Sequence, residues 1–490
     1  MNTADYLLDG AVDDAVAVVD GDGAHTYGEL RRAVDGMVGA LDGLPRRARV
    51  GIAGPNSFRW VAGYLATLSA GAVAVPIPHA LPADAVVDRL SRIRADAALL
   101  GRHEERTLGG LLPNGIRTVV GVPEGRPDLP PSAPVADDDD AVYVFTSGTT
   151  GSPRLVRVTH GNIQANTESI LRYLGLTAAD RILVVLPFSY AFGASLLHTH
   201  LRVGATLVIR PDTVFPQSIV DRLRDERCTG LAGVPSTFHL LLRSSAFART
   251  PLPYLRTIQQ AGGKLARPLL DELVSAQPQA RVFVMYGQTE ATARLSYLPP
   301  EGLARHAGSI GKGIPGVSLR VMTPEGRPVA AGEIGEIWAS GRSISPGYLD
   351  DPEATQRKMP DGVLHTGDLA TVDGEGWITI VDRQEDFMKP WGIRVGSQEV
   401  ESAAIQLTDL VAVAAVGLPD DAAGERVELV AVRRPGSHID EEQVLGHCRA
   451  RLDRHAVPSR VHFVDRLPLN GNGKVVKAAV RELCLEAGRG

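Results

Sequence analysis

From the start of the chain to the run RVFVMYG (281–287), short apolar runs alternate with segments of helical spacing, and nearly every run stops at Gly or Pro. ARVGIAGP (48–55) reads as a strand and turn, a helical stretch follows, and AGAVAVPI (70–77) is a second strand. LPADAVVDRLSRIRAD (81–96) has helical spacing, and AALLG and RTVVGV read as short strands. RILVVLP, ATLVIRP, GLAGVP and RVFVMYG continue the rhythm. Such βαβ alternation specifies a mostly parallel sheet with helices on its faces, an α/β fold.

From about residue 317 the pattern changes. SLRVMTPEGRPVAAGEIGEIWASG and LATVDGEGWITIVDR are short strands joined by Gly-containing turns, which predicts antiparallel β structure of a small, barrel-like kind. The last hundred residues predict a compact α+β unit, with helices near 397–406 and 440–453 and strands in VAVAAVGL, VELVAVRR and RVHFVD. We therefore expect a large N-terminal domain, 1–382, and a small C-terminal domain, 383–490, in line with a chain of 490 residues. Residues 123–140, with five prolines and the run Asp137 to Asp140, read as a surface connector.

Trp60 to Pro78 is free of charge and long enough for a membrane span, yet Gly63, Gly71, Pro76 and Pro78 interrupt it. It reads better as a helix to about Ser69 followed by the strand AVAVPI, so no membrane span is expected. A net charge of −6 argues against a general nucleic-acid or anionic-membrane binder. Cys228, Cys448 and Cys484 are far apart without metal-type spacing, and the N-terminus has no apolar signal core. A reducing, cytoplasmic setting fits these features.

Four segments carry chemistry. In VYVFTSGTTGSPRLVRVTH (142–160), an apolar run enters a loop made only of Thr, Ser, Gly and Pro, and Arg154 follows at once. Backbone N–H groups and hydroxyls in such a loop suit an anion nest, although the composition alone suits a solvated linker equally; the position behind a buried strand favours phosphate. It is not a Walker loop. YGQTEAT (286–292) ends a strand, where open α/β sheets bind ligands, and Glu290 there suits a hard cation. HTGD (365–368) offers Asp368, a carboxylate with lone pairs for two hydroxyls, or simply a turn residue. LPLNGNGKVVK places Lys474 behind a Gly/Asn loop, a weak signal by itself.

Taken in order, these segments resemble the adenylate-forming superfamily, the acyl- and aryl-CoA ligases and peptide-synthetase adenylation domains. The likeness runs from TYGELRRAV (26–34) through LSAGAVAVPI, the Ser/Thr/Gly loop, LPFSYAFG, AGGKL, YGQTE, GEIGEIW, SPGYLDDPEAT, TGD and DRQEDFMKPWGIRVGSQEVES to NGNGK. The resemblance implies a mobile C-terminal domain and a cleft that adenylates a small carboxylic acid with ATP and Mg²⁺. The acyl group then passes to the thiol of CoA or of a carrier protein's phosphopantetheine. It implies that Thr146, Ser147, Gly148, Thr149, Thr150 and Gly151, with Arg154, hold phosphate, and that Thr289 and Glu290 serve phosphate and metal. Gly262, Gly263 and Tyr286 would bound the adenine, and Asp368 and Arg383 would bind the ribose. Lys474 would bridge α-phosphate and carboxylate, and Glu385 would be the hinge. The acid pocket would comprise Phe188, Tyr190, Ala191, Phe192, Gly193, Ala261 and Gly287.

Three positions depart from the family pattern: Arg154–Leu155 in place of Lys–Gly, Asp382 in place of the Gly before the boundary Arg, and Glu385 in place of Asp or Lys. No Asp stands at Tyr190 or Ala191 to receive an α-ammonium group, which disfavours amino acids. The leading expectation is an aryl- or acyl-acid ligase, monomeric or homodimeric. Activation of nitrite for diazotisation, and a non-catalytic nucleotide-binding relative, are the alternatives. His198 and His200, spaced by two on a predicted helix, are expected to be core or edge residues rather than metal ligands.

Overall fold

The computed structural model describes residues 1–123, 132–146, 153–210, 215–384, 386–469 and 475–487. Ser147, Gly148, Thr149, Thr150, Gly151, Glu385 and Lys474 lie outside the described residues. The described chain forms four sheets, of nine, six, four and three strands.

The nine-stranded sheet has a parallel centre made by Val16–Asp20, Thr206–Ile209, Arg181–Val184, Gly230–Gly233, Thr257–Gln260 and Arg281–Tyr286. The six-stranded sheet is parallel from Arg117–Val120 to Asp140–Phe145 and ends in one antiparallel strand, Leu155–Thr159. Helices Tyr27–Leu41, Phe58–Ser69, His160–Leu174 and Ala191–Arg202 supply most of the helical residues of the largest apolar core.

Helix Phe58–Ser69 and strand Val73–Pro76 replace any continuous span across the uncharged stretch. Ser57 caps the helix by accepting from Trp60 N–H, and Gly71 adopts φ +69 just past its end. Trp60 through Leu68 are all buried, so the segment is apolar on every face because it is a central core helix. Among the described residues, no helix is long and apolar enough to cross a membrane.

Strands Val317–Met322, Gly335–Gly341, Leu364–Val372 and Ile378–Arg383 form the antiparallel sheet expected after residue 317. Beyond it, helices Ser397–Ala404 and Glu441–Arg449 pack on a sheet of Leu410–Asp420, Gly424–Arg433 and Arg460–Phe463, with a core of their own. The expected surface connector stops short of its acidic end. Asp139 is 7% exposed and pairs with Arg46 and Arg47, and Asp140 begins a strand. A run of like charges at 137–140 survives there because distant arginines meet part of it.

Candidate active site

Parallel neighbours carry their carboxyl ends to one edge of the nine-stranded sheet. That register brings Ala261–Gly263, after Thr257–Gln260, beside Tyr286 and the YGQTE turn. Gly262 takes φ +87, a conformation that favours glycine.

The turn after Tyr286 is tight. Thr289–Ala291 form one 3₁₀ turn, and Ala293 N–H donates to Ala291 O across Thr292, which has φ +66 and ψ −59. A β-branched residue in that region is strained, and its buried hydroxyl is anchored by donating 2.8 Å to Ser343 O. The reversal lays Ala293 O against Gly287, where a Cβ would sit 1.8 Å from it. Position 287 must therefore be glycine.

Asp368 lies directly across the antiparallel ladder from Arg383, which explains their meeting. Arg383 Nε donates to Asp368 Oδ1 at 3.1 Å, and the Tyr286 hydroxyl donates to Oδ2. Thr366 Oγ1 accepts from Asp368 N–H and donates to Ile337 O, fixing the TGD turn. Burial, followed by the Asp368 charge, raises the Tyr286 phenol well above its ordinary range, so it stays a donor. Asp368 is 3% exposed, and each of its oxygens keeps a lone pair for a further donor.

Glu290 Oε1 accepts 2.8 Å from the Tyr348 hydroxyl, and Glu290 O accepts from Ser345 N–H. Burial, with Glu290 next, holds the Tyr348 phenol protonated. Arg154 lies over the Tyr348 ring, 5.5 Å from its centroid, with Nε 3.4 Å from Asp351. Thus three separate motifs, the Ser/Thr/Gly loop's stem, SPGYLDD and YGQTE, meet through one tyrosine.

The loop itself joins two arms of an antiparallel hairpin, with Phe145 opposite Leu155. Thr146 N–H donates to Arg154 O at 2.9 Å and closes the stem. Leu155 is a buried strand residue whose carbonyl accepts from Leu349 N–H, so no glycine conformation is called for there. Burial of such a leucine contributes roughly 2 kcal/mol.

Around the expected acid pocket, Ala191, Phe192, Gly193 and Ala261 are buried. Tyr190 meets Phe192 edge-on at 6.4 Å, whereas Phe188 packs on Trp60 in the main core. Gly193 is the first turn of its helix, where a Cβ would lie 2.1 Å from Pro187 O. His198 and His200 are both buried, His198 against the Tyr64 hydroxyl.

At the end of strand Ile378–Arg383, Asp382 is fully buried. Its Oδ1 accepts from Arg383 N–H and its Oδ2 from Gln398 N–H, in the first turn of helix Ser397–Ala404. Burial raises its carboxyl pKa, and Lys477 is a nearby charge that opposes the rise. Sequence reading missed this non-local cap, as it missed Tyr348 and the buried Arg294 described below. In the C-terminal unit, Glu428, His462 and Cys484 also converge, with donor atoms within 4.8 Å of one another. Arg426 Nε already pairs with Glu428 at 2.7 Å, and burial pushes the Cys484 thiol up to about 12, which marks a closed polar network.

Residues 10–349 match the family described as AMP-binding enzyme, and 399–474 match its C-terminal domain. The chain belongs to the AMP-binding enzyme family. Feruloyl-CoA synthase of an Amycolatopsis species is 33% identical over 473 residues, 95% of each chain. The 3-hydroxybenzoate–CoA ligase of Aromatoleum sp. (strain CIB) is 30% identical, covering 100% of this chain and 98% of its own. The crystal structure of ATP-bound MatB from Rhodopseudomonas palustris superposes with a TM-score of 0.88 at 27% identity, covering 98% of each chain. For an AMP-binding enzyme, the α/β body with a small C-terminal domain is the expected architecture.

Proposed function

We propose that this AMP-binding enzyme joins a small aryl or acyl acid to the thiol of CoA in two half-reactions. In the first, a carboxylate oxygen of the acid attacks the α-phosphorus of ATP, the bond to the β-phosphate breaks and pyrophosphate leaves. In the second, the thiol sulfur attacks the acyl carbonyl, the thiol proton passes to solvent and AMP departs. Both are steps in which positioning and charge neutralisation matter more than covalent participation by the protein.

The observation that carries this reading is Asp368, buried and oriented by Tyr286 and Arg383, with lone pairs remaining for the two ribose hydroxyls. Tyr286, Gly262 and Gly263 bound the adenine. Thr146, Ser147, Gly148, Thr149, Thr150 and Gly151, with Arg154 at the stem, hold the outgoing phosphates, aided by Thr289. The donors here are carboxylate and hydroxyl oxygens, which fit a hard divalent cation, and Glu290 would hold it. Bound there, Mg²⁺ supplies neutralisation of phosphate charge. Lys474 bridges the α-phosphate and the reacting carboxylate. The boundary falls between Asp382 and Arg383, and rotation about Glu385 exchanges Lys474 for the thiol.

The relatives named for feruloyl- and 3-hydroxybenzoate-CoA support an aryl or acyl acid and CoA as acceptor. Pyrophosphate release is measured with aryl acids, fatty acids, amino acids and nitrite, each with CoA or an arylamine. Release with an aryl or acyl acid plus a new thioester is expected. Release only with nitrite and an amine contradicts it.

A further inference from the structure

Arg294 follows the strained YGQTEAT turn, and its side chain is one of the largest fully buried ones in the protein, at 2% exposure. Its backbone is clasped by Asn166, whose Nδ2 donates to Arg294 O at 3.0 Å and whose Oδ1 accepts from Arg294 N–H. The guanidinium carbon stacks 4.0 Å from the centroid of Phe192, and Nε lies 3.3 Å from Met285 Sδ. Tyr173, which hydrogen-bonds with the guanidinium, and Tyr190 are the ionisable groups near it.

No carboxylate pairs with this guanidinium among the described residues, and Nη2 is buried with no hydrogen-bond partner. Arginine remains ionised inside proteins, so the site holds a buried cation with only an aromatic face, a thioether and phenols around it. A cation–π contact offsets only part of the cost of burying that charge. A buried charge without its partner is strongly destabilising, so a persistent unpaired one points to a counter-group that arrives with a ligand. Phe192, under the guanidinium, and Tyr190, edge-on to Phe192, both belong to the proposed acid pocket and place that ligand there.

We infer that Arg294 determines specificity at the far end of the acid: the preferred substrate carries, remote from its reacting carboxyl, a second acceptor oxygen that Nη2 binds, and an anionic carboxylate satisfies it best. The inference rests on the proposed function, since it names the class of acid that the same pocket takes. A hydrogen bond from guanidinium to an ionised carboxylate is stronger than one to a neutral hydroxyl.

The test compares kcat/KM for pyrophosphate release with isophthalate, 3-hydroxybenzoate and m-toluate, matched in size, in the wild type, Arg294→Met and Arg294→Lys. The wild type is expected to favour isophthalate over m-toluate at least tenfold, with 3-hydroxybenzoate between. Arg294→Met flattens that order and leaves KM for ATP unchanged, while Arg294→Lys retains part of it. Equal or better use of m-toluate by the wild type overturns the inference while leaving the proposed function intact, and needs no variant to fold. The same holds for an unchanged order in a folded Arg294→Met protein, checked by thermal unfolding. Silence with all acids and both acceptors overturns the proposed function itself, and the inference with it.

Discussion

The Tyr348 hydroxyl donates 2.8 Å to Glu290 while Arg154 covers the same ring, so one tyrosine aligns the carboxylate proposed for Mg²⁺ with the stem of the loop proposed for phosphate. Replacing Tyr348 with Phe keeps the ring under Arg154 and deletes the donor. A hydrogen bond to a charged group is worth about 1.5–3 kcal/mol. The expected outcome is at least a tenfold loss of kcat/KM for Mg²⁺·ATP with a modest fall in thermal stability, read from steady-state kinetics at several Mg²⁺ concentrations beside thermal unfolding.

Asp368→Asn tests the ribose assignment. The amide turns one acceptor oxygen into a donor that faces either Arg383 or Tyr286, and it removes the charge. KM for ATP should rise at least tenfold, measured by pyrophosphate exchange, whereas KM for the acid stays within about twofold. Loss confined to the acid would place Asp368 elsewhere in the site.

Asp382→Gly restores the family's usual residue and deletes the cap on helix Ser397–Ala404. The loss of the two hydrogen bonds that its carboxylate accepts from backbone N–H groups costs about 1 kcal/mol. If Asp382 also restrains rotation of the C-terminal domain, thioester formation from preformed adenylate accelerates in the variant. Stopped-flow measurement of that half-reaction, beside denaturant unfolding, separates the two effects.

Acid should destabilise the fold earlier than its carboxylates demand. Burial lowers His198 to about 3 and His160 and His200 to about 4, from an ordinary value near 6.5. Because the folded values are depressed, the unfolded chain binds these protons first. Their contribution is complete above about pH 6.5 and falls away as the pH drops toward 4, by about 1 kcal/mol per histidine between pH 6.5 and 5.5. Urea unfolding across that interval should show the decline, and His198→Asn should reduce its slope. A flat profile would mean that these imidazoles are protonated in the folded state.

Local signals revealed the scaffold more readily than the site. Helix Phe58–Ser69 was legible because Ser57 and Gly71 bracket an apolar run, and the strands were legible from their Gly/Pro stops. Asp139 was misread because its partners, Arg46 and Arg47, lie far away in sequence. Arg294 left little trace beyond a lone cation between Ala293 and Leu295 ahead of a strand. Its burial follows from a turn whose geometry no local propensity encodes. Leu155 and Asp382 stood out as departures, but their roles as a strand residue and a remote helix cap exist only once the hairpin and the C-terminal helix have docked.

In the proposed function one cleft runs two half-reactions, the first of which needs Lys474. A single-turnover experiment with Lys474→Ala tests it most directly, following AMP formation from ATP and acid, and separately thioester formation from preformed acyl-adenylate and CoA. The first is expected to be abolished and the second to proceed at the wild-type rate. An equal fall in both would contradict it.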